Sequence, residues 1–267
     1  MITIASGNAS IDIDPESGGR VAQIAVDGFE LLVPASDRAF GWGMFPMAPF
    51  AGRIRHGRFS YMGAEHALPL TLAPHAIHGT LLDRTWTVDG VSDSAAHLSV
   101  MLDDPWPYRG TISHHIEVGS DGDAGWLTVR LVVVAVDAMP VTLGWHPWFR
   151  RRLDRGRPLA LSFAATSMYE RDGEGMPTGR LVDPSPGPWD DCFTGLSAAP
   201  VLTWPDALVL EFEQMADHLV VYDVPEHAVC VEPQTGPPDA VNLGLAAPLE
   251  AGGRLSTECT VRWRTLR

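Results

Sequence analysis

Two short stretches carry side chains suited to proton transfer. Leu143-Gly144-Trp145-His146-Pro147-Trp148-Phe149 sets an imidazole between two indoles. Val231-Glu232-Pro233-Gln234-Thr235-Gly236-Pro237-Pro238-Asp239-Ala240 sets a carboxylate beside a proline in the same way. Proline has no amide hydrogen for a β ladder, and it biases the residue before it towards an extended backbone. His146 and Glu232 are therefore expected at strand ends, aimed by a stiff main chain. An imidazole and a carboxylate suit general acid–base work near neutral pH. The tryptophans beside His146 offer flat apolar faces that match the C–H face of a sugar ring. A lone His-Pro pair reads as a satisfied core histidine. The second proline-fixed stretch shifts the balance towards chemistry.

Three further polar residues fall in loops or at strand ends: Arg53, His78 and Asp190. Arg53 also has a bland reading, an arginine whose stem covers apolar surface while its head reaches water. His75 and His78 lie three residues apart, but no Asp, Glu or Cys nearby completes a metal-ligand set at familiar spacing. Gly79 points to a tight turn there, so no metal is expected. Together, an arginine, two imidazoles and two carboxylates among aromatic residues fit a neutral polyhydroxylated ligand.

The elements that must position these residues read as strands. Ile11 and Ile13 alternate with Asp12 and Asp14, and Asp27-Gly28 marks a turn. The clearest period of two runs from Leu127 to Val136, with Leu127, Val129, Leu131, Val133 and Ala135 on one face. Its other face starts polar and ends apolar, so the strand is expected to end covered on both sides. Ala228, Cys230 and Glu232 share a face, as do Cys259, Val261 and Trp263. Phe40 to Pro49 reads as aromatic and irregular. Met168 to Ser197, rich in Gly, Pro and Asp, is expected to be a long loop over the site. No apolar period of 3.6 residues persists, and no repeat or linker interrupts the chain. Residues 1–267 are expected to form a single all-β domain, a large antiparallel β-sandwich.

Composition narrows the partners. The chain has 267 residues, 26 of them Gly and 22 Pro, and a net charge of −14. Its only dense basic cluster, Arg150 to Arg157, is short and local, so nucleic acid is not an expected partner. Cys192, Cys230 and Cys259 are odd in number and far apart, which implies no disulfide framework and favours a reduced, cytoplasmic setting. The first residues lack a secretory pattern. The strongest aliphatic run, Leu131 to Val136, is too short to span a membrane. A homodimer stays open.

The chain resembles the aldose 1-epimerases, or galactose mutarotases, over nearly its whole length, and within them the less-characterised bacterial branch. The matching motifs are Gly52-Arg53-Ile54 through Gly57-Arg58-Phe59, His78-Gly79, His146-Pro147-Trp148-Phe149, Asp190 ahead of Phe193, and Glu232 to Ala240. Departures from the family pattern are Gly52, Thr80 and Trp148, which bear on the preferred sugar. The resemblance implies the galactose mutarotase-like supersandwich and a cofactor-independent isomerase of α and β anomers. It assigns His146 and Glu232 as the catalytic pair, with Arg53, His78, Asp190 and Trp148 binding the sugar. Asp191 competes with Asp190 for the carboxylate position. In this scheme Glu232 is the base and His146 the acid, its pKa raised by nearby carboxylates. The alternatives are a sugar-phosphate mutarotase using Arg150, Arg151 and Arg152, a non-catalytic sugar-binding protein, and a cupin-like metalloenzyme using His75 and His78.

Overall fold

The alternating segments form strands that pair almost entirely antiparallel. The computed structural model describes residues 1–122 and 124–266. Among these the one α-helix is the single turn Ala240–Leu243. The strand Ala124–Ala135 sends Leu127, Val129, Leu131, Val133 and Ala135 into the core. It lies between Gly110–Asp121 and Arg254–Thr265. The expected cover on both faces at its end is absent: Val134 is 42% and Val136 48% exposed. An antiparallel sheet can leave one face to water, and this one does.

Pairing runs on from Arg254–Thr265 to Leu208–Gln214 and then to the second half of Asp190–Trp204. The first half of that long strand pairs instead with His218–Tyr222. One strand thus passes from one part of the sheet to another, and its partner Ala160–Arg171 shifts register twice alongside it. From His218–Tyr222 the ladder continues through Ala228–Gln234, Gly144–Arg150 and Met44–Met47 to Arg20–Val26. Ile11, Ile13 and Ile24 from one end of this ribbon share a core with Leu98, Ile112, Val129 and Trp263 from the other. This is a sandwich, as the alternation requires.

Two segments differ from expectation. Met44–Met47 is a strand inside the stretch read as irregular. All four of its residues are buried, so it shows no polar alternation. Met168 to Ser197 is mostly strand, formed by parts of Ala160–Arg171, Pro177–Val182 and Asp190–Trp204. Asp172, Gly173 and Gly175 serve the hairpin turn between the first two, where Asp172 Oδ1 accepts the amides of Glu174 and Met176. Among the described residues no helix is long and apolar enough to cross a membrane.

Candidate active site

His146 and Glu232 lie on neighbouring strands, Gly144–Arg150 and Ala228–Gln234. Neither is at a strand end as expected; both are in strand interiors. The reason is visible in the register. Gly144 pairs with Gln234 and Trp148 with Cys230, while the residues between make no ladder pairs across this seam. Pro147 and Pro233 fall in that gap and have no amide hydrogen to donate. The prolines therefore open the ladder inside a sheet rather than end its strands. His146 Nε2 and Glu232 Oε1 meet across the opening at 3.2 Å.

A cavity of about 530 Å³ opens over this pair. That is within the range of small-molecule sites. Arg53, His78, His146, Trp148, Asp190 and Glu232 all line it. The His146 ring is stacked between Phe45, with centroids 4.9 Å apart, and Trp148, at 5.2 Å and 8° from parallel. His227 lies against the other face of Trp148. The strand missed in the sequence thus supplies the floor of the histidine's stack.

The Arg53 loop is fixed by glycine geometry. Gly52 has φ +67°, and a Cβ there would sit 2.9 Å from Pro238. Gly79 has φ +82°, and a Cβ would run into the backbone of Ala48. These two positions accept only glycine without strain, and they hold Arg53 and His78 beside the pair. Arg53 Nη2 donates to Asp190 Oδ2 at 3.3 Å. Both residues are partly exposed at the cavity, so Arg53 is not simply a snorkelling side chain.

Asp190 and Asp191 alternate across their strand. Asp190 faces the cavity, while Asp191 is buried with Oδ1 2.7 Å from Arg171 Nε. Arg171 also reaches Asp190 Oδ2, at 3.6 Å.

The electrostatics reverse one expectation. Burial lowers the pKa of His146, and the cations Arg20 and Arg53 lower it further. Burial raises that of Glu232 well above the carboxylate range, and Asp190 adds to the rise. The histidine falls rather than rises, because burial dominates and Arg20 and Arg53 add to it. Moving in these directions, the two groups hold one proton between them, and their titration belongs to the pair. Burial favours imidazole beside carboxylic acid over an ion pair. His78, buried and next to His146, is likewise kept neutral.

Several contributors escaped the sequence reading. Gln234 Nε2 donates to Glu232 Oε2 at 3.2 Å, and its place two residues on from Glu232 on the same strand face was the available signal. Arg20 is buried beneath the site. It donates to the carbonyls of Ser17, Trp42 and Leu82 and lies 4.0 Å over the Trp42 ring. Tyr222 lines the cavity edge-on to Trp148. His75 accepts the His56 amide through Nδ1 and does not line the cavity. Four cavity-lining residues keep a buried polar atom without a partner among the described residues: His78 Nδ1, His146 Nδ1, Trp148 Nε1 and Gln234 Oε1. Buried polar atoms are normally satisfied, and a hydroxyl-rich ligand with its waters would supply what is missing.

The basic cluster is committed elsewhere. Arg150 faces Glu30 and Asp154, and Arg151 donates to the carbonyls of Asp223, Pro225 and Ala228. Neither lines the cavity.

A family model described as aldose 1-epimerase matches residues 1–261. The chain is 29% identical over 156 residues to the uncharacterized protein YphB of Escherichia coli K12. That match covers 56% of this chain and 51% of YphB, so the chain spans about half the length of the curated relatives it matches. A galactose mutarotase-like protein from Clostridium acetobutylicum superposes with a TM-score of 0.84 at 17% identity, over 99% of this chain and 95% of that one. The aldose epimerase homologue from C. elegans gives 0.84 at 17%, over 100% and 99%. At these identities the structures show the shared fold.

Proposed function

The chain belongs to the aldose 1-epimerase family, and from that premise we propose that it interconverts the α and β anomers of an aldose by acid–base ring opening. The observation that carries this reading is the buried His146–Glu232 contact at 3.2 Å, set in the wall of a cavity with Arg53, His78 and Asp190. Opening a pyranose removes the proton of the C1 hydroxyl and adds one to the ring oxygen. Both oxygens are bonded to C1, so an adjacent acid and base can reach them together. The sugar lies over the pair rather than between its members, since they are already in contact.

Glu232 as carboxylate takes the hydroxyl proton while His146 as imidazolium protonates the ring oxygen. The pair then stands as carboxylic acid and imidazole beside the open-chain aldehyde. The resting site already holds that neutral arrangement, so the shared proton first passes from Glu232 to His146, and ring opening returns the pair to it. Rotation about C1–C2 and reversal of both transfers yield the other anomer. The proton count never changes, and no redox step or strong nucleophile is involved. Arg53, His78 and Asp190 hold the ring oxygen and hydroxyls, and Trp148, with His146 on one face and His227 on the other, presents its edge to the cavity.

A second reading, an aldose bearing phosphate, no longer rests on Arg150 to Arg152. It rests on Arg38, an exposed residue in the cavity lining that makes no ion pair among the described residues. A non-catalytic sugar binder is disfavoured by the presence of both acid and base. Polarimetry on freshly dissolved sugars and sugar phosphates separates the readings. Accelerated mutarotation of neutral aldoses supports the first, and acceleration confined to phosphorylated sugars that is lost in Arg38→Ala supports the second. No acceleration of any of them counts against both.

A further inference from the structure

The acid–base pair has a third neighbour that the reaction does not use. Cys230 lies two residues before Glu232 on the same strand face and is the ladder partner of Trp148. Its thiol is free and fully buried, and it is not among the residues lining the cavity. Donor atoms of His146, Cys230 and Glu232 all lie within 4.8 Å of one another. Among the described residues this is the one such cluster of three metal-ligating side chains.

We propose that His146, Cys230 and Glu232 form a binding site for a soft divalent cation, of which zinc is the fitting case, and that its occupancy shuts the active site. Imidazole, thiolate and carboxylate are the ligand types that zinc takes, and three protein ligands with one open position describe its exposed sites. Zinc bonds to these ligands at about 2.0 to 2.3 Å, so donors as close as these gather onto one ion with shifts of about an ångström. Two of the three ligands, His146 and Glu232, line the cavity, which gives the ion a path in. Charge also balances. The ion displaces the proton shared by His146 and Glu232 and the proton of the thiol, so two positive charges leave as two arrive. The net charge of the buried site is unchanged.

The bound ion occupies the lone pairs of His146 and Glu232 that move protons, so it is an inhibitor and not a cofactor. That consequence rests on the proposed function; the binding does not. The test has two arms. In the first, cobalt(II) chloride is titrated into metal-free protein and into Cys230→Ala, Cys230→Ser and, as control, Cys259→Ala. Wild type and the Cys259 variant are expected to show a near-ultraviolet thiolate-to-cobalt absorption band that both Cys230 variants lack. In the second arm, zinc chloride is added during mutarotation. Wild type is expected to lose turnover, with recovery on adding a chelator. Cys230→Ala, whose basal turnover stays within about twofold, is expected to need about tenfold more zinc or beyond, since even outer-shell partners are worth that much in affinity. Absence of the cobalt band in wild type overturns the proposal whatever the variants do. Equal zinc sensitivity of wild type and Cys230→Ala also overturns it. If no sugar is turned over, the cobalt arm still decides the metal site, and the failure belongs to the proposed function alone.

Discussion

Asp239 grips the chain on both sides of Ile54: its Oδ1 accepts the Arg55 amide at 3.0 Å, and its own amide donates to the Arg53 carbonyl at 2.6 Å. The Asn242 side chain donates to the same carboxylate at 2.7 Å. Asp239 follows Glu232 by seven residues, so one turn ties the Arg53 loop to the strand that carries the base. Burial pushes the Asp239 carboxyl up despite these donors. The residue holds the main chain and does not line the cavity.

Asp239→Ala should therefore act through Arg53. Losing the acceptor for a part-buried amide costs about 1–3 kcal/mol, read as a lower urea midpoint. The loosened loop should raise KM for sugar more than it lowers kcat. Asp239→Asn, which keeps an acceptor at Oδ1, should recover most of both. Unchanged stability and KM in the alanine variant would remove this role.

The neighbouring aspartates should separate cleanly. Asp190→Asn weakens a hydroxyl ligand and the Arg53 contact, so KM rises by about tenfold, the scale of one charge-assisted hydrogen bond, with little change in melting temperature. Asp191→Asn leaves Arg171 without its closest carboxylate, at 2.7 Å. It should lower stability and leave sugar affinity nearly intact. Urea melts and KM measurements on both variants check the assignment, and an exchange of the two phenotypes would reverse it.

Much of this site can be read in the sequence because proline chemistry is local. The motifs around His146 and Glu232 named the pair, and alternation named the sandwich. What a proline does to a ladder depends on which strand lies beside it, so the position of the pair within strands was not legible. Phe45 was hidden because its strand is buried on both faces and shows no alternation. Arg20 opens an ordinary strand, and its role depends on Ser17, Trp42 and Leu82, which only the fold brings together. Asp190 and Asp191 could not be told apart until their strand showed which one faces the cavity.

His114 gives a pH prediction. It is fully buried, with Nδ1 3.0 Å from the Gly19 carbonyl and Nε2 accepting Trp145 Nε1–H at 3.1 Å. Burial lowers its pKa from 6.5 to about 4. The unfolded chain takes up this proton below about pH 6.5, and the folded chain does not until about pH 4, so acid favours unfolding. The stability His114 contributes is present above pH 6.5 and is lost as pH falls towards 4. The difference is about 3 kcal/mol for this residue. His146 and His78, also lowered by burial, add to the fall, so urea unfolding from pH 7 to 4 should show it in wild type and a shallower one in His114→Gln. A slope in His114→Gln as steep as in wild type would show that His114 does not carry this proton uptake.

Ring opening is proposed to run on one proton held between His146 and Glu232. Glu232→Gln keeps the size of the side chain and removes its capacity to take a proton. The most direct measurement is the decay of optical rotation of the best α-sugar with this variant at saturating concentration, corrected for spontaneous mutarotation. In this variant kcat should fall by about 10² to 10⁴-fold, with sugar binding largely retained. A Glu232→Gln protein that turns over that sugar at close to the wild-type rate would contradict it.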